Sequence, residues 1–528
     1  MRRAGAVLCG GCRSPGGCST ACSAEKLRET VRKLPAVFPA GGGEHNIKYK
    51  IAGNRDIMDA RESGFRLFGQ SRGRREPFMN IVEMDTKQVS TAKMYLTMAV
   101  PVVLSMLTSM VYNIADTWFI SATGNTALIA GVSLNAPVLT FLMAFGNIFG
   151  QGGTSLISRL IGQKQADSSR QVSAACFYLA IGTGLLLSAL MFFFRTPILQ
   201  LLGATEETME YAAAYYLCIA VGAVFLVASY VPMNLLRAEG LSRESMIDSI
   251  GGAVLNIILD PIFIFVLGLG AAGAAIATVL GYVFMNVLAV VMIRRKSRML
   301  SVSVREAHTS AGNIAQIFSV GIPAAVTNIL QSVSAVVVNQ FLLDWGSDAI
   351  AAMGIALKVA MVGQMILIGL TFGGLPLFGY YYGGGRKEKF MELLRFCMRF
   401  VCITGAVCTV ILFAAARPLI RFFVDDAALI TMGTQMLRLQ VLTLAFAGAV
   451  LLLTNVFQSM GRAREMFLLS ISRQGILFLA VLIIAANLFG YYGILAAQAA
   501  ADLLSAALAA GLYLHWKRRY QWPEEAAA

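Results

Sequence analysis

Long apolar runs separated by short polar loops fill the chain from residue 94 to residue 514. Each run is long enough to cross the hydrocarbon core of a bilayer, about 30 Å, as an α-helix. The pattern therefore predicts an all-α polytopic membrane protein with twelve transmembrane helices. The predicted spans are 94–120, 126–161, 172–194, 211–236, 246–268, 272–293, 314–343, 349–381, 396–416, 439–457, 466–489 and 494–514. The second and the eighth are longer than one crossing requires, so we expect them to tilt or to project beyond the bilayer.

The composition agrees with this pattern. Hydrophobic residues make up 57% of the 528 residues and charged residues only 14%, and the mean hydropathy is +0.68. Because soluble domains contain about 25% charged residues, the composition excludes an ordinary soluble protein.

Lysine and arginine lie almost entirely at one end of the predicted bundle. If the first span runs outward, the inner loops and the C-terminal tail carry Arg159, Lys164, Arg170, Arg237, Arg243, Arg294, Arg295, Lys296, Arg298, Arg305, Arg386, Lys387, Lys389, Arg462, Arg464, Lys517, Arg518 and Arg519. The outer loops carry only Arg195, Arg417 and Arg421. Since cytoplasmic loops show this excess, we expect both termini to be cytoplasmic and the protein to lie in the plasma membrane of a prokaryote. The net charge of +14 then requires no nucleic acid; the expected partners are the lipid bilayer and small-molecule substrates, and we expect a monomer.

The second half of the chain repeats the first. The pattern N-x-x-x-x-x-G-x-x-R-E occurs at 234–244 and again at 455–465, and Pro101 and Pro323 are related by nearly the same spacing. Six spans per repeat give both halves the same topology, so they are related by an axis along the membrane normal, as in several transporters. The predicted organisation is a first six-helix lobe at 91–293, a linker at 294–313, a second six-helix lobe at 314–515 and a cytoplasmic tail at 516–528.

Residues 1–90 differ from the rest of the chain. They are polar, basic and rich in glycine and arginine, and they contain no apolar stretch long enough for a signal peptide or a span. We expect a disordered segment there.

Five polar residues lie inside the predicted spans of the first lobe. Tyr112 and Asp116 are four residues apart and share one face of their helix, and Asn256 and Asp260 have the same spacing. Thr278 lies near the start of the sixth span. At 1.5 Å per residue, the five lie roughly 7 to 18 Å from the outer ends of their helices, so we expect them to converge in the outer half of the lobe.

The chemistry of these residues suits a cation. Pro261 should kink its helix and release the carbonyl of Ile257, which adds to the oxygens of Asp116 and Asp260. Such a site could bind Na⁺, with the two carboxylates as its ligands, or a proton that the carboxylates share. Polar side chains also hold membrane helices together, but two carboxylates with no Lys or Arg at their depth are costly in lipid and indicate a function.

The second lobe offers no matching acidic pair. Lys358 and Asp502 lie roughly 14 and 12 Å from the outer face, which predicts an ion pair that is either structural or part of gating and substrate binding. Arg473 should extend to the inner membrane surface. Asn135, Gln331 and Gln364 could line a substrate cleft, although each taken alone is better explained by hydrogen bonds to neighbouring helices. Gly146-x-x-x-Gly150 and Gly369-x-x-x-Gly373 are predicted packing motifs.

Motifs for other chemistry are missing from the sequence. It contains no G-x-x-x-x-G-K-[ST] phosphate loop and no H-E-x-x-H, so ATP-driven transport and intramembrane hydrolysis are poorly supported. We expect no enzymatic activity and no cofactor, with Na⁺ or H⁺ as the coupling ion.

Several stretches of the sequence resemble the multidrug and toxic compound extrusion (MATE) family. They are 113–119, 152–159, 237–240 and 256–261 in the first half, with weaker matches at 354–358 and 376–383. The resemblance covers about residues 90–520. It implies a two-lobed, V-shaped fold that exports cationic or amphipathic drugs against Na⁺ or H⁺ by alternating access. It also implies a cation site in the first lobe, which falls here on Asp116, Asn256, Asp260 and Thr278, with Tyr112 nearby.

The sequence departs from that family's pattern near the inner mouth of the second lobe. Tyr381 stands where many members have asparagine, and Phe372-Gly373-Gly374 replaces an expected Gln-Gly. These changes affect the expected substrate range or the inward-facing state more than ion coupling. A flippase for lipids or lipid-linked oligosaccharides would share this superfamily fold, but it would favour more basic residues in the central cavity than Lys358. A receptor or scaffold leaves the duplicated halves and the buried carboxylates unexplained.

Overall fold

The computed structural model describes residues 81–519 and residue 522, and every regular element in that part of the chain is helical. A short helix, α1 Ile81–Thr86, precedes the first lobe. The first lobe comprises α2 Thr91–Ser121, α3 Thr126–Ser133, α4 Ala136–Gly162, α5 Ala166–Phe193, α6 Arg195–Leu201, α7 Glu206–Glu239, α8 Ser242–Pro261 and α9 Gly270–Lys296. Helix α7 is the centre of this lobe, since α4, α5 and α9 all pack on it.

The second lobe follows a linker that contains one 3₁₀ turn, Val304–Glu306. Its helices are α10 Ala311–Leu342, α11 Ser347–Gly383, α12 Lys387–Ala414, α13 Ala416–Arg421, α14 Ala427–Val441, α15 Leu444–Ser459, α16 Ala463–Gln474 and α17 Ile476–Arg519. The expected linker at 294–313 is therefore shorter, because α9 runs to Lys296 and α10 begins at Ala311.

The last apolar stretch crosses the membrane twice. Together α16 and α17 form a run of 56 residues that is apolar enough to span, and Gly490 interrupts it with a positive φ of 56°. A side chain on Gly493 would lie 1.8 Å from the carbonyl oxygen of Ala485. Residues eight apart in one straight helix are about 12 Å apart, so the chain reverses at Gly490.

The described residues are thus consistent with twelve crossings. The other long apolar helices cross once each, and α14 and α15 form one further crossing that bends by 43°. The second predicted span is long because it is two helices, α3 and α4, which are interrupted at Leu134 and Asn135. The eighth, α11, is one continuous helix of 37 residues.

The two lobes touch at the end of the bundle whose loops contain Lys164, Arg386 and Arg462, here called the basic end. Helix α11 packs on α2 and α4, and α10 packs on α4. A side chain on Gly373 would lie 2.3 Å from the Cα atom of Ala99. Small residues allow membrane helices to approach this closely.

Both predicted packing motifs make such contacts. Gly369 and Gly373 pack on α2 of the other lobe, whereas Gly146 and Gly150 pack on α7 within the first lobe. The departure from the family pattern at Gly373 therefore lies in the contact between the lobes. Tyr381 lies there too, since it is buried and its hydroxyl donates to the Sδ atom of Met94 at 3.5 Å.

The lobes separate toward the opposite end, here called the open end. On α2, Ile114 is eleven residues from Val103, so the two side chains point within about 20° of each other and lie about 16 Å apart along the axis. Val103 meets Gly369 of the second lobe, whereas Ile114 is 49% exposed. A cleft between the lobes therefore opens above the contact at the basic end.

The expectation for residues 1–90 needs a correction at its end. Residues 1–80 lie outside the described part of the chain. Helix α1, however, has a defined structure in which Ile81, Met84 and Asp85 are buried. The physical reason is that α1 carries apolar residues that pack against the basic end.

Candidate functional site

The structure brings the five polar residues of the first lobe into one cluster. Asn256, Asp260 and Thr278 are buried. With the Asn256 amide oriented by its hydrogen-bond network, its nitrogen donates to Asp260 Oδ2 at 2.8 Å and its oxygen accepts from the Thr278 backbone N–H at 3.0 Å. The hydroxyl of Tyr112 lies within hydrogen-bonding reach of Thr278, and Asp116 is close enough to Asp260 for their carboxylates to interact electrostatically.

Helix geometry explains why Asp116 faces this cluster and not the cleft. Asp116 is thirteen residues from Val103, which places it about 140° around α2 from the face that meets the second lobe. On α8, the helix ends at Pro261 and continues as a π-helical turn, Ile262–Val266. Because proline lacks an N–H, the regular hydrogen-bond pattern is interrupted directly after Asp260.

Two carboxylate oxygens of the cluster have no hydrogen-bond partner among the described residues. They are Asp116 Oδ1 and Asp260 Oδ1. Buried polar atoms are almost always paired, and unpaired oxygens of two adjacent carboxylates attract a cation or a proton. The donor set therefore fits Na⁺ or H⁺, as the residue types alone suggest.

Two residues near the cluster were not identified from the sequence. Tyr215 of α7 is buried, reaches the Thr278 hydroxyl and interacts electrostatically with Asp116 and Asp260. Tyr282 lies four residues after Thr278 on α9, interacts electrostatically with Asp116 and also pairs with Tyr230. The four-residue spacing was a usable signal for Tyr282, but nothing in the sequence around Tyr215 points to the site.

A further buried carboxylate of α8 was also missed. Asp248 is fully buried, and neither of its side-chain oxygens has a hydrogen-bond partner among the described residues. It interacts electrostatically with Arg237, which we assigned to a loop but which is buried and donates through Nε to Ser245 Oγ at 2.9 Å. Arg237 and Asp248 lie near the basic end of the lobe.

The predicted ion pair of Lys358 with Asp502 is wrong. Asp502 accepts instead from Arg473 Nε at 3.0 Å and from the Thr443 hydroxyl at 2.9 Å. Arg473 does not extend to the membrane surface, because α17 reverses at Gly490 and brings Asp502 beside it. This cluster lies inside the second lobe, so Asp502 does not face the substrate cleft.

Lys358 lies on the cleft side of α11. It is eleven residues from Gly369, so it points within about 20° of the face that meets α2, and it is exposed. Among the described residues it has no ion-pair partner. Because an unpaired lysine in contact with lipid is costly, this geometry places Lys358 in the cleft between the lobes.

The three predicted cleft amides differ from one another. Asn135 is buried, and its Nδ2 donates to the carbonyl oxygens of Gly131 at 3.0 Å and Ala212 at 3.2 Å. It therefore joins the break between α3 and α4 to α7. Of its two predicted roles the structure supports hydrogen bonding between helices, and its place among the cleft candidates is corrected. Gln331 is exposed on α10, and Gln364 is partly buried on α11, so only Gln331 and Gln364 remain candidates for the cleft.

Two six-span lobes with the same internal topology, a cleft between them and buried carboxylates beside it define the class of a membrane transporter. The family model described as MatE matches the chain twice, at residues 101–262 and 323–484, one match in each lobe. By these matches and by the relatives below, the chain belongs to the MATE family.

The relatives match this chain over most of their own length. The chain is 32% identical to the multidrug export protein MepA of Staphylococcus saprophyticus over 420 residues, which cover 80% of this chain and 92% of that protein. It is 30% identical to MepA of Staphylococcus aureus strain MRSA252, with the same coverage.

Solved structures share the fold. One is an outward-facing multidrug resistance MATE transporter, with a TM-score of 0.77, 22% identity and coverage of 82% of this chain and 97% of that one. Another is a variant of the MATE transporter VcmN of Vibrio cholerae, with a TM-score of 0.78, 21% identity and coverage of 83% and 99%.

Proposed function

We propose that this protein is a secondary active multidrug efflux antiporter. It exports cationic or amphipathic small molecules in exchange for Na⁺ or H⁺ by alternating access. The observation that carries the proposal is a pair of buried carboxylate oxygens beside an open cleft, on Asp116 and Asp260, which have no hydrogen-bond partner in the described part of the chain. The names of the MepA relatives support the substrate class.

Helix α2 couples the cation site to the cleft. One face of α2 carries Ala99 and Val103, which contact the second lobe, and the opposite side carries Asp116. Without a cation, the carboxylates of Asp116 and Asp260 repel each other. When a cation neutralises them, α2 and α8 draw together at the open end, and this movement biases how α2 packs against α11. A ligand shifts such an equilibrium only by its different affinity for the two states, and the two carboxylates supply that difference.

The basic end is proposed to face the cytoplasm. Its lysines and arginines follow the distribution of cytoplasmic loops, which places both termini inside the cell and the protein in the cytoplasmic membrane. The cleft of this structure then opens outward. Lys358, Gln331 and Gln364 are the proposed polar contacts for substrate, and the transporter acts as a monomer.

The test is efflux of a fluorescent cationic dye from proteoliposomes under a Na⁺ gradient or a pH gradient, imposed separately. Wild type is compared with Asp260→Asn and with Asp425→Asn, which removes an exposed carboxylate. We expect one gradient to drive efflux in wild type and in Asp425→Asn but not in Asp260→Asn. A rate of dye efflux that is the same with and without each gradient would refute antiport. Lipid flipping without dye movement would support the flippase alternative.

A further inference from the structure

Helix α1 lies against the first lobe through an apolar contact. Ile81 is fully buried and packs on Gly240, which ends α7 with a positive φ of 93°. A side chain on Gly240 would lie 2.6 Å from Ile81 Cγ1, so Ile81 packs directly against bare backbone. Only four residues separate α1 from α2, so α1 is also tied covalently to the first lobe.

The same short helix is bound to the second lobe by charge. Asp85 is 8% exposed. It accepts from the Tyr380 hydroxyl at 3.0 Å, from Lys389 Nζ at 2.5 Å and from Arg386 Nη1. Burial alone would raise the pKa of Asp85, but the hydrogen bonds from Lys389, Arg386 and Tyr380 outweigh it and hold that pKa below its usual value.

These contacts span the junction that alternating access must open. A side chain on Gly162, at the end of α4, would lie 2.2 Å from the carbonyl oxygen of Tyr380, so the lobes meet directly beside Asp85. If the basic end opens, Tyr380, Arg386 and Lys389 move away from α4. Helix α1 cannot remain attached to both lobes during that movement.

We propose that Asp85 is the latch of the basic end, and that its bonds to Tyr380, Arg386 and Lys389 hold the two lobes together in the access state seen here. The latch rests on the alternating access of the proposed function. It breaks at Asp85 and not at Ile81, because Ile81 is a buried apolar contact on the lobe to which α1 is chained. Asp85 is a positioning residue, since it touches neither the cation site nor the cleft.

The surroundings of Asp85 keep the cost of breaking these bonds moderate. Arg386 and Lys389 have side chains that are 30% and 44% exposed. A cavity of about 460 Å³ lies beside them and is also lined by Lys164. Water can therefore solvate the carboxylate and its partners once they part. Because partly exposed charged hydrogen bonds contribute modestly, we expect their loss to change the ratio of closed to open basic ends by about tenfold.

The test measures the separation of the two lobes at the basic end directly. Spin labels are placed at Gln163 and Glu388, which are exposed on different lobes at the basic end, in a background in which the nine native cysteines are replaced. Distance distributions are recorded in detergent without substrate or ion gradient. We expect Asp85→Asn to shift the population toward longer distances by about tenfold in the ratio. Lys389→Met should shift it in the same direction but by less, because Tyr380 and Arg386 still bind Asp85. The double variant should add little to the larger single effect, because both remove the same contact.

A matched control removes a carboxylate from the same end without touching the latch. Asp167 is exposed on α5 and has no ion-pair partner among the described residues. Asp167→Asn should keep the wild-type distances. The latch is refuted if Asp85→Asn leaves the populations unchanged, or if the double variant shows the sum of two independent effects.

Transport measured in parallel separates this inference from the proposed function. If wild type shows no gradient-driven efflux but Asp85→Asn shows longer label distances at the basic end, antiport alone is overturned. Normal efflux with unchanged distances in Asp85→Asn overturns the latch alone. Thermal unfolding of each variant confirms that a changed distance comes from a folded protein.

Discussion

Replacing Asp502 by asparagine should destabilise the second lobe, because it leaves the Arg473 guanidinium charged and buried. The side chains of Arg473 and Asp502 are only 9% and 4% exposed, and Asp502 also accepts from Thr443 and, at 3.2 Å, from Gln498. Removing one partner of a buried ion pair costs about 3–5 kcal/mol. For a unit the size of one lobe, this corresponds to a fall of roughly 10 °C in melting temperature.

The assay is thermal unfolding of the purified protein in detergent, followed by size-exclusion chromatography. Asp425→Asn is the control; it removes an exposed carboxylate and should change stability by less than about 0.5 kcal/mol. Replacing both partners, Arg473→Met with Asp502→Leu, should recover most of the loss, because no uncompensated charge remains. A melting temperature of Asp502→Asn equal to that of the wild type would refute a stabilising role for this ion pair, and so would a double variant less stable than Asp502→Asn.

Three further predictions follow from single contacts. Asn135→Leu should lower stability by about 1–2 kcal/mol through its two lost hydrogen bonds and leave the KM for dye unchanged; a changed KM at normal stability would contradict its structural role. Lys358→Met should leave the melting temperature unchanged but alter the KM for charged substrates. KM values equal to those of wild type, for a cationic and for an anionic dye, would contradict its place in the cleft. Because its partners hold the pKa of Asp85 below the usual value, the latch should be fully present above about pH 4 and weaken only as the pH falls through the lowered pKa. Label distances at pH 8, 6 and 4 test this, and a gate that opens between pH 8 and pH 6 would contradict it.

Much of the fold could be predicted from the sequence, because the length and spacing of apolar runs are local properties of the chain. The apolar runs identified the spans, and the repeated pattern at 234–244 and 455–465 identified the two halves, which the two family matches confirm. The convergence of Asp116 and Asp260 could be anticipated from depth, since both lie on adjacent helices of one lobe. Their role as cation ligands stays a prediction.

The incorrect prediction that Lys358 pairs with Asp502 shows that depth in the membrane is not enough to predict an ion pair. Depth gives the position of a residue along the membrane normal, but pairing also depends on the direction in which its side chain points. Lys358 points along the face of Gly369, which packs on the other lobe, whereas Asp502 points into its own lobe. The spacing of Lys358 from the Gly369-x-x-x-Gly373 motif already contained that direction.

Breaks within spans were the other source of error. The second span was predicted as one helix, yet the proline directly after the start of α4 marks a new helix start. Asn135 lies at that break and bonds neighbouring helices, which is the second of its two predicted roles. Helix α1 was missed because six residues in a polar segment carry too weak a periodic signal, and its structure depends on contacts with residues far along the chain.

The most direct test of the account is binding of the coupling cation to the purified protein. Radioactive Na⁺ binding and proton release in weakly buffered detergent solution would be measured on wild type, Asp116→Asn and Asp260→Asn. We predict saturable binding of one of these ions by wild type and its loss in both variants, each of which remains folded. Undiminished binding in Asp260→Asn would contradict the central claim that the two carboxylates form the cation site.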